Sequence, residues 1–164
     1  MESSHSIPVV AMVASALAGT ISCGGVQHGG PTANEGGGAR ERIVGAWRLA
    51  SLEEPGADGA VHRADASGLL VFTGDGHMSV QVMYRHVQAE ATEGSSPYAQ
   101  GGYEASFGTY VIDERARTFT FHVEGALVRT LVGKDLPRIF ELAGKQLVVT
   151  SSNPNEHWRV VWER

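Results

Sequence analysis

From Arg40 onward the chain is written in short apolar runs broken by tight-turn residues, and that rhythm restricts the fold more than any other feature. Residues 68–73 and 78–83 flank Gly74-Asp75-Gly76. An Asp-Gly step tolerates the positive φ of a tight turn, so the two runs read as a β-hairpin. Residues 108–113 and 118–124 predict a second hairpin across 114–117, and residues 138–142 and 146–151 a third across 143–145. Residues 47–52 open the series before a turn at 55–59, and residues 158–162 close it. Residues 88–102 read as loop, with a helical turn expected near 103–107. No long amphipathic helical pattern competes, which excludes a βαβ arrangement. About eight short strands joined by tight turns predict an all-β, antiparallel, up-and-down barrel, closed by pairing its last strand with its first.

Composition narrows the function classes. Apolar residues make up 42% and charged residues 19%, enough apolar content to bury a core and exclude wholesale disorder. A net charge of −5, with 13 Lys+Arg against 18 Asp+Glu, supplies no basic stripe for phosphates, so no nucleic-acid partner is expected. One cysteine excludes an internal disulfide framework and a zinc site built on several thiolates. The 7 histidines are scattered and lack His-Glu-x-x-His spacing, and neither a Gly-x-Ser-x-Gly elbow nor a P-loop occurs. No metal and no cofactor is expected.

The first 39 residues differ from the rest: they carry no Lys or Arg, and their only acids are Glu2 and Glu35. Residues 7–21 form an apolar run too short to span a bilayer but suited to a signal-peptide core. Thr20-Ile21-Ser22-Cys23 resembles the cleavage box of bacterial lipoproteins, which implies a lipidated Cys23 followed by a Gly-rich tether. The chain therefore divides into a signal-peptide-like segment (1–22), a flexible linker (23–39) and a barrel domain (40–164). The location expected is the cell envelope, with membrane attachment through Cys23. The alternative is a cytoplasmic protein with a disordered leader. Oligomeric state is not legible.

Several segments, taken in order, are similar to the bacterial and fungal lipocalin-like domain family. They are Val44-Gly45-Ala46-Trp47-Arg48-Leu49, the stretch from Gly68 to Gln81, Phe107-Gly108-Thr109-Tyr110, His122-Val123-Glu124-Gly125, Arg138-Ile139-Phe140-Glu141-Leu142 and Val161-Trp162-Glu163-Arg164. The chain differs from the family pattern at Val128-Arg129-Thr130-Leu131 and at Pro137. The resemblance implies a barrel with a pocket. It also implies structural roles for Gly45 and for Trp47, the latter plugging the closed end beneath an arginine of the last strand, either Arg159 or Arg164.

Strand parity sorts the remaining candidates. Phe119, Phe121 and Val123 share one face of their run; His122 and Glu124 share the other with Thr118 and Thr120. Either face could line the lumen. With His122 and Glu124 inside, Arg138 on the next strand is the natural partner for Glu124, and His122 is placed for acid–base work. Met78, Val80 and Val82 alternate with His77, Ser79 and Gln81, and Trp47, Trp158, Trp162, Phe72, Tyr110 and Phe140 are candidate lining aromatics. The ligand-contact set is thus Tyr110, His122, Glu124, Arg138, Gln81, Phe72 and Phe140. The function expected is binding of a small hydrophobic molecule, lipid-like and carboxylate- or carbonyl-bearing. One alternative is an isomerase or cyclase with His122 and Glu124 as catalytic acid and base. Another is a filled barrel acting as an envelope interaction module.

Overall fold

The computed structural model describes residues 37–56, 58–85 and 97–164. Cys23, the signal-like segment and most of the linker lie outside these residues. The described part opens with a one-turn helix, α1 (Ala39–Ile43), which runs straight into β1 (Gly45–Pro55). Then come β2 (Val61–Arg63), β3 (Ala66–Phe72), β4 (His77–Tyr84), β5 (Tyr103–Asp113), β6 (Thr118–Ala126), β7 (Asp135–Ala143), β8 (Gln146–Ser151) and β9 (Arg159–Glu163). A short 3-10 turn at Arg129–Leu131 separates β6 from β7.

Every neighbouring pair is antiparallel, and β9 returns to β1 through Leu49↔Trp162 and Leu52↔Val160, which closes the sheet. β2 and β3 both pair with β1, at Glu53↔Arg63 and Arg48↔Leu69, so together they act as one interrupted strand. The closed barrel therefore has eight antiparallel staves, as the spacing of the apolar runs predicts. A register shift between Leu49 and Ser51 bends β1 where it serves partners on both edges.

The turns follow from their chemistry. At the β3–β4 hairpin Gly76 sits at φ 92°, and the Thr73 N–H donates to the His77 carbonyl at 2.9 Å. At the β5–β6 turn Asp113 Oδ1 accepts the N–H groups of Arg115 and Ala116, both at 3.0 Å. Residues 103–107 are not a helical turn but the first half of β5, paired with β4 from Met83↔Tyr103 to Ser79↔Phe107. Their inward positions carry Glu104 and Ser106 instead of apolar residues, which hides the strand alternation from a sequence reading.

One end of the barrel is plugged. Ile43 and Trp47 are fully buried, and the Trp47 indole N–H donates to the Ile43 carbonyl at 2.8 Å. The Arg164 guanidinium lies 4.3 Å from the Trp47 ring centroid and donates to the Val44 carbonyl at 3.0 Å. Gly45, at φ 134°, leads the chain beneath that guanidinium. Of the two candidate arginines Arg164 takes the covering position, whereas Arg159 faces Glu53 at 3.7 Å. Above the plug, Phe72 meets Tyr110 and Phe119 edge to face, at 5.0 and 5.4 Å between centroids.

Candidate functional site

Strand parity decides what faces the lumen. Phe119, Phe121 and Val123 of β6 are buried, so His122 and Glu124 face outward and are exposed. The interior accepts the phenylalanines because their burial removes large apolar areas from water, whereas a paired imidazole and carboxylate gain nothing by leaving it. His122 Nδ1 instead meets Asp135 Oδ1 at 2.8 Å on the outer surface. The expected His122–Glu124–Arg138 group does not form, and the acid–base pair proposed for His122 and Glu124 lies outside the cavity.

Gln81 also faces outward, where its side-chain oxygen accepts the Tyr103 hydroxyl at 3.3 Å. Met78, Val80 and Val82 face inward, as their alternation predicts. Phe72, Tyr110 and Phe140 are buried, but in the packed layer near the plug and not among the residues lining the cavity. Arg138 alone of the expected ligand contacts lines it.

The cavity, of about 80 Å³, has an apolar wall that includes Leu70, Met78, Val82, Phe119, Phe121 and Trp162. Its polar groups are Glu54, Tyr84, Tyr98, Glu104, Ser106 and Arg138. They come from the ends of β1 and β4, the starts of β5 and β7, and the segment before β5, on the side of the barrel away from α1. Arg138 reaches the lumen because β7 alternates: Leu136, Arg138 and Phe140 point in while Asp135, Pro137 and Ile139 point out.

The Arg138 side chain is only 8% exposed. Its guanidinium carbon lies 5.0 Å from the ring centroids of both Tyr98 and Trp158, and Nη1 donates to the Pro137 carbonyl at 3.0 Å. Cation–π contacts of this kind gain strength where water is excluded. Glu156 fixes the two rings: its Oε2 accepts the Tyr98 hydroxyl at 2.7 Å and the Trp158 indole N–H at 3.0 Å. Although burial alone would raise the Glu156 pKa, the hydrogen bonds from Tyr98, Ser151, Trp158 and Asn153 outweigh it and hold the carboxyl below its ordinary value. Burial pushes the Tyr98 phenol up to about 12, with Arg138 opposing and Glu156 assisting. Tyr98 is thus a neutral hydroxyl at physiological pH.

Glu104, on β5, lines the same cavity. Burial raises its carboxyl to about 7, against the pull of Arg138 and with a further push from Glu54. Glu54 is itself raised by burial, an effect moderated by the Tyr84 hydroxyl, which donates to its Oε2 at 3.2 Å. Among the described residues no carboxylate lies within ion-pairing distance of Arg138. The cavity is therefore lined by a cation and two carboxyl groups raised by burial, in a largely apolar chamber. Such a chamber can take up an oxygen-bearing small molecule, orient it and exchange a proton with it.

Sequence reasoning missed Glu104, Glu54, Tyr84 and Tyr98. For Glu104 the available signal was parity with Ser106 and Tyr110 on a strand that begins at Tyr103, ahead of the run expected from residue 108; for Glu54, continuation of β1 past Leu52.

Among solved structures the chain is similar to a lipocalin-like protein from Bacteroides uniformis ATCC 8492, at 14% identity and a TM-score of 0.44, covering 74% of this chain and 97% of that one. It is also similar to an uncharacterized protein from Bacteroides eggerthii DSM 20697, at 17% identity and a TM-score of 0.44, covering 74% of this chain and 98% of that one. No curated protein matches. The model of the lipocalin-like domain family matches residues 44–164, from the residue before β1 to the terminal arginine. With β1 to β9 and every residue lining the lumen inside that match, the chain belongs to the lipocalin-like domain family.

Proposed function

We propose that the barrel binds a small, mainly apolar molecule by its carboxylate or carbonyl oxygen. The oxygen sits on Arg138 and the apolar part lies against Leu70, Met78 and Phe121. The observation that carries this reading is the buried guanidinium of Arg138, held by two aromatic faces and one backbone carbonyl, with no carboxylate of the described residues in ion-pairing range. Leaving a buried charge in that state is costly unless an anion or carbonyl dipole completes it. A cavity of about 80 Å³ is well under the roughly 300 Å³ at which drug-sized sites begin. The enclosed ligand is therefore small, or is one end of a longer chain.

Octanoate and octanol separate the oxygen contact from plain burial. Trp158 lies beside Arg138, so its fluorescence reports occupancy. Octanoate should bind more tightly than octanol, and Arg138→Gln should lower octanoate affinity by about tenfold or more while octanol binding changes little, since a charged hydrogen bond contributes about 1.5–3 kcal/mol. Equal affinity for the two compounds, or no effect of the substitution, would contradict the reading.

The location proposed for this activity is the cell envelope, and its support is the Thr20-Ile21-Ser22-Cys23 box ahead of a Gly-rich stretch. A diacylated Cys23 would place the protein in the detergent phase of its native host's membranes, and Cys23→Ser should release it. Wild-type protein found wholly in the soluble fraction would end this proposal.

A further inference from the structure

Two carboxyl groups in the lumen have no place in simple binding. A pocket made only to hold a carboxylate gains from Arg138 but is opposed by Glu104 and Glu54 on the same cavity. Their presence makes sense if one of them takes a proton from the bound molecule.

We propose that the lumen also catalyses proton transfer at carbon next to a carbonyl, with Glu104 as the base and Arg138 holding the carbonyl oxygen. The proposal rests on the binding reading above and extends it to turnover. Its geometric basis is that both groups line one apolar chamber without pairing with each other, so a carbonyl oxygen can lie on the guanidinium while the adjacent carbon faces the carboxylate.

The substrate class is a small ketone with a double bond one carbon removed from conjugation. Glu104 carboxylate removes a proton from the carbon between the carbonyl and the alkene. The C–H electron pair becomes a carbon–carbon double bond, and the carbonyl π pair moves onto oxygen as a dienolate stabilised by Arg138. Glu104, now a carboxylic acid, returns the same proton to the far alkene carbon. The oxygen pair re-forms the carbonyl and leaves a conjugated enone. Nothing is oxidised or reduced, and no second reactant is consumed.

The other polar groups facing the pair are consistent with this step. Glu54 is occupied by the Tyr84 hydroxyl and keeps Glu104 basic by like-charge repulsion. Tyr98 stays neutral and supports Arg138. A base whose pKa lies close to the working pH combines a usable ionised fraction with proton affinity, and Glu104 meets that condition. Free glutamate, ionised near 4.3, is a much weaker base.

Isomesityl oxide tests the proposal, because its conjugated product, mesityl oxide, absorbs in the near ultraviolet. The full chain should convert it faster than an equal concentration of acetate, with a rate that rises with pH through about 7. Glu104→Gln should lower the rate about 10²–10⁴-fold and remove that pH limb, while Trp fluorescence still reports ketone and octanoate binding. Glu104→Asp, which keeps the acid but moves it back, should retain a measurable fraction of the activity. Ketone that binds without conversion, conversion unaffected by Glu104→Gln, or octanoate bound with the ketone refused would each overturn the proton-transfer proposal alone. Failure of both compounds to bind would overturn the binding reading with it.

Discussion

Arg138 illustrates what a single side chain can and cannot announce. Its type and its inward parity were legible once β7 was recognised, but its partners were not. Tyr98 lies before β5 and Trp158 before β9, far from each other in sequence, and only barrel closure brings them to one guanidinium. Glu104 was hidden for a different reason. A carboxylate at an inward strand position breaks the polar–apolar alternation on which strand recognition depends, so the feature that gives the site its chemistry also masks it. Its raised pKa has a consequence for stability. The folded state binds the Glu104 proton more tightly than the unfolded chain does, so stability is fullest below about 4.5 and falls as pH rises to about 7. The loss is on the order of 3 kcal/mol, and Glu54, shifted the same way, adds to it. Glu104→Gln should flatten most of that decline, and thermal melts should show the variant more stable than wild type at pH 8. A variant melting lower than wild type at pH 8, with the slope below pH 7 unchanged, would show that Glu104 is not a strained buried acid.

Among the elements, the hairpins were the most legible, since local turn chemistry sets them. The β5–β6 turn falls across residues 114–117, as expected, with Asp113 accepting its backbone N–H groups, although β5 begins at Tyr103, ahead of the run that signalled it. What local signals could not reveal were β2, three residues of which only the pairing with β1 makes a strand, and α1, whose amphipathic face consists of one turn ending in Ile43. The register shift between Phe107 and Gly108 was equally invisible. There β5 and β6 approach so closely that a Cβ on Gly108 would run into the His122 carbonyl oxygen and stand 2.8 Å from the Glu124 nitrogen. Backbone cannot yield as a flexible side chain does, so Gly108→Ala should cost about 1–3 kcal/mol, read as a lowered midpoint in urea with the slope unchanged. A loss under about 0.5 kcal/mol would mean that the bulge relaxes freely. The same tight register holds His122 and Glu124 on the outer surface, and so separates them from the lumen chemistry first assigned to them.

For the whole molecule, closure divides labour between two ends. The plug of α1, Trp47 and Arg164 pairs its polar groups with one another's backbone, whereas Arg138, Glu104 and Glu54 line the cavity. The barrel was legible in the spacing of its apolar runs, and the plug only through the family resemblance around Gly45 and Trp47, which left Arg159 and Arg164 both open until strand closure put Arg164 on the indole. The ligand end is built from inward residues of separate strands and from a segment with no regular pattern. Its membership depends on tertiary placement alone. Intermolecular NOEs from octanoate to the isotope-labelled protein read out whether a carboxylate binds inside the lumen with its head on Arg138. Contacts are expected from the octanoate tail to the methyl groups of Met78, Val82 and Leu70, together with a shift of the Arg138 guanidinium resonances. Contacts instead to the exposed outer-face side chains of Met83, Phe107 or Leu127, with Arg138 unmoved, would contradict it.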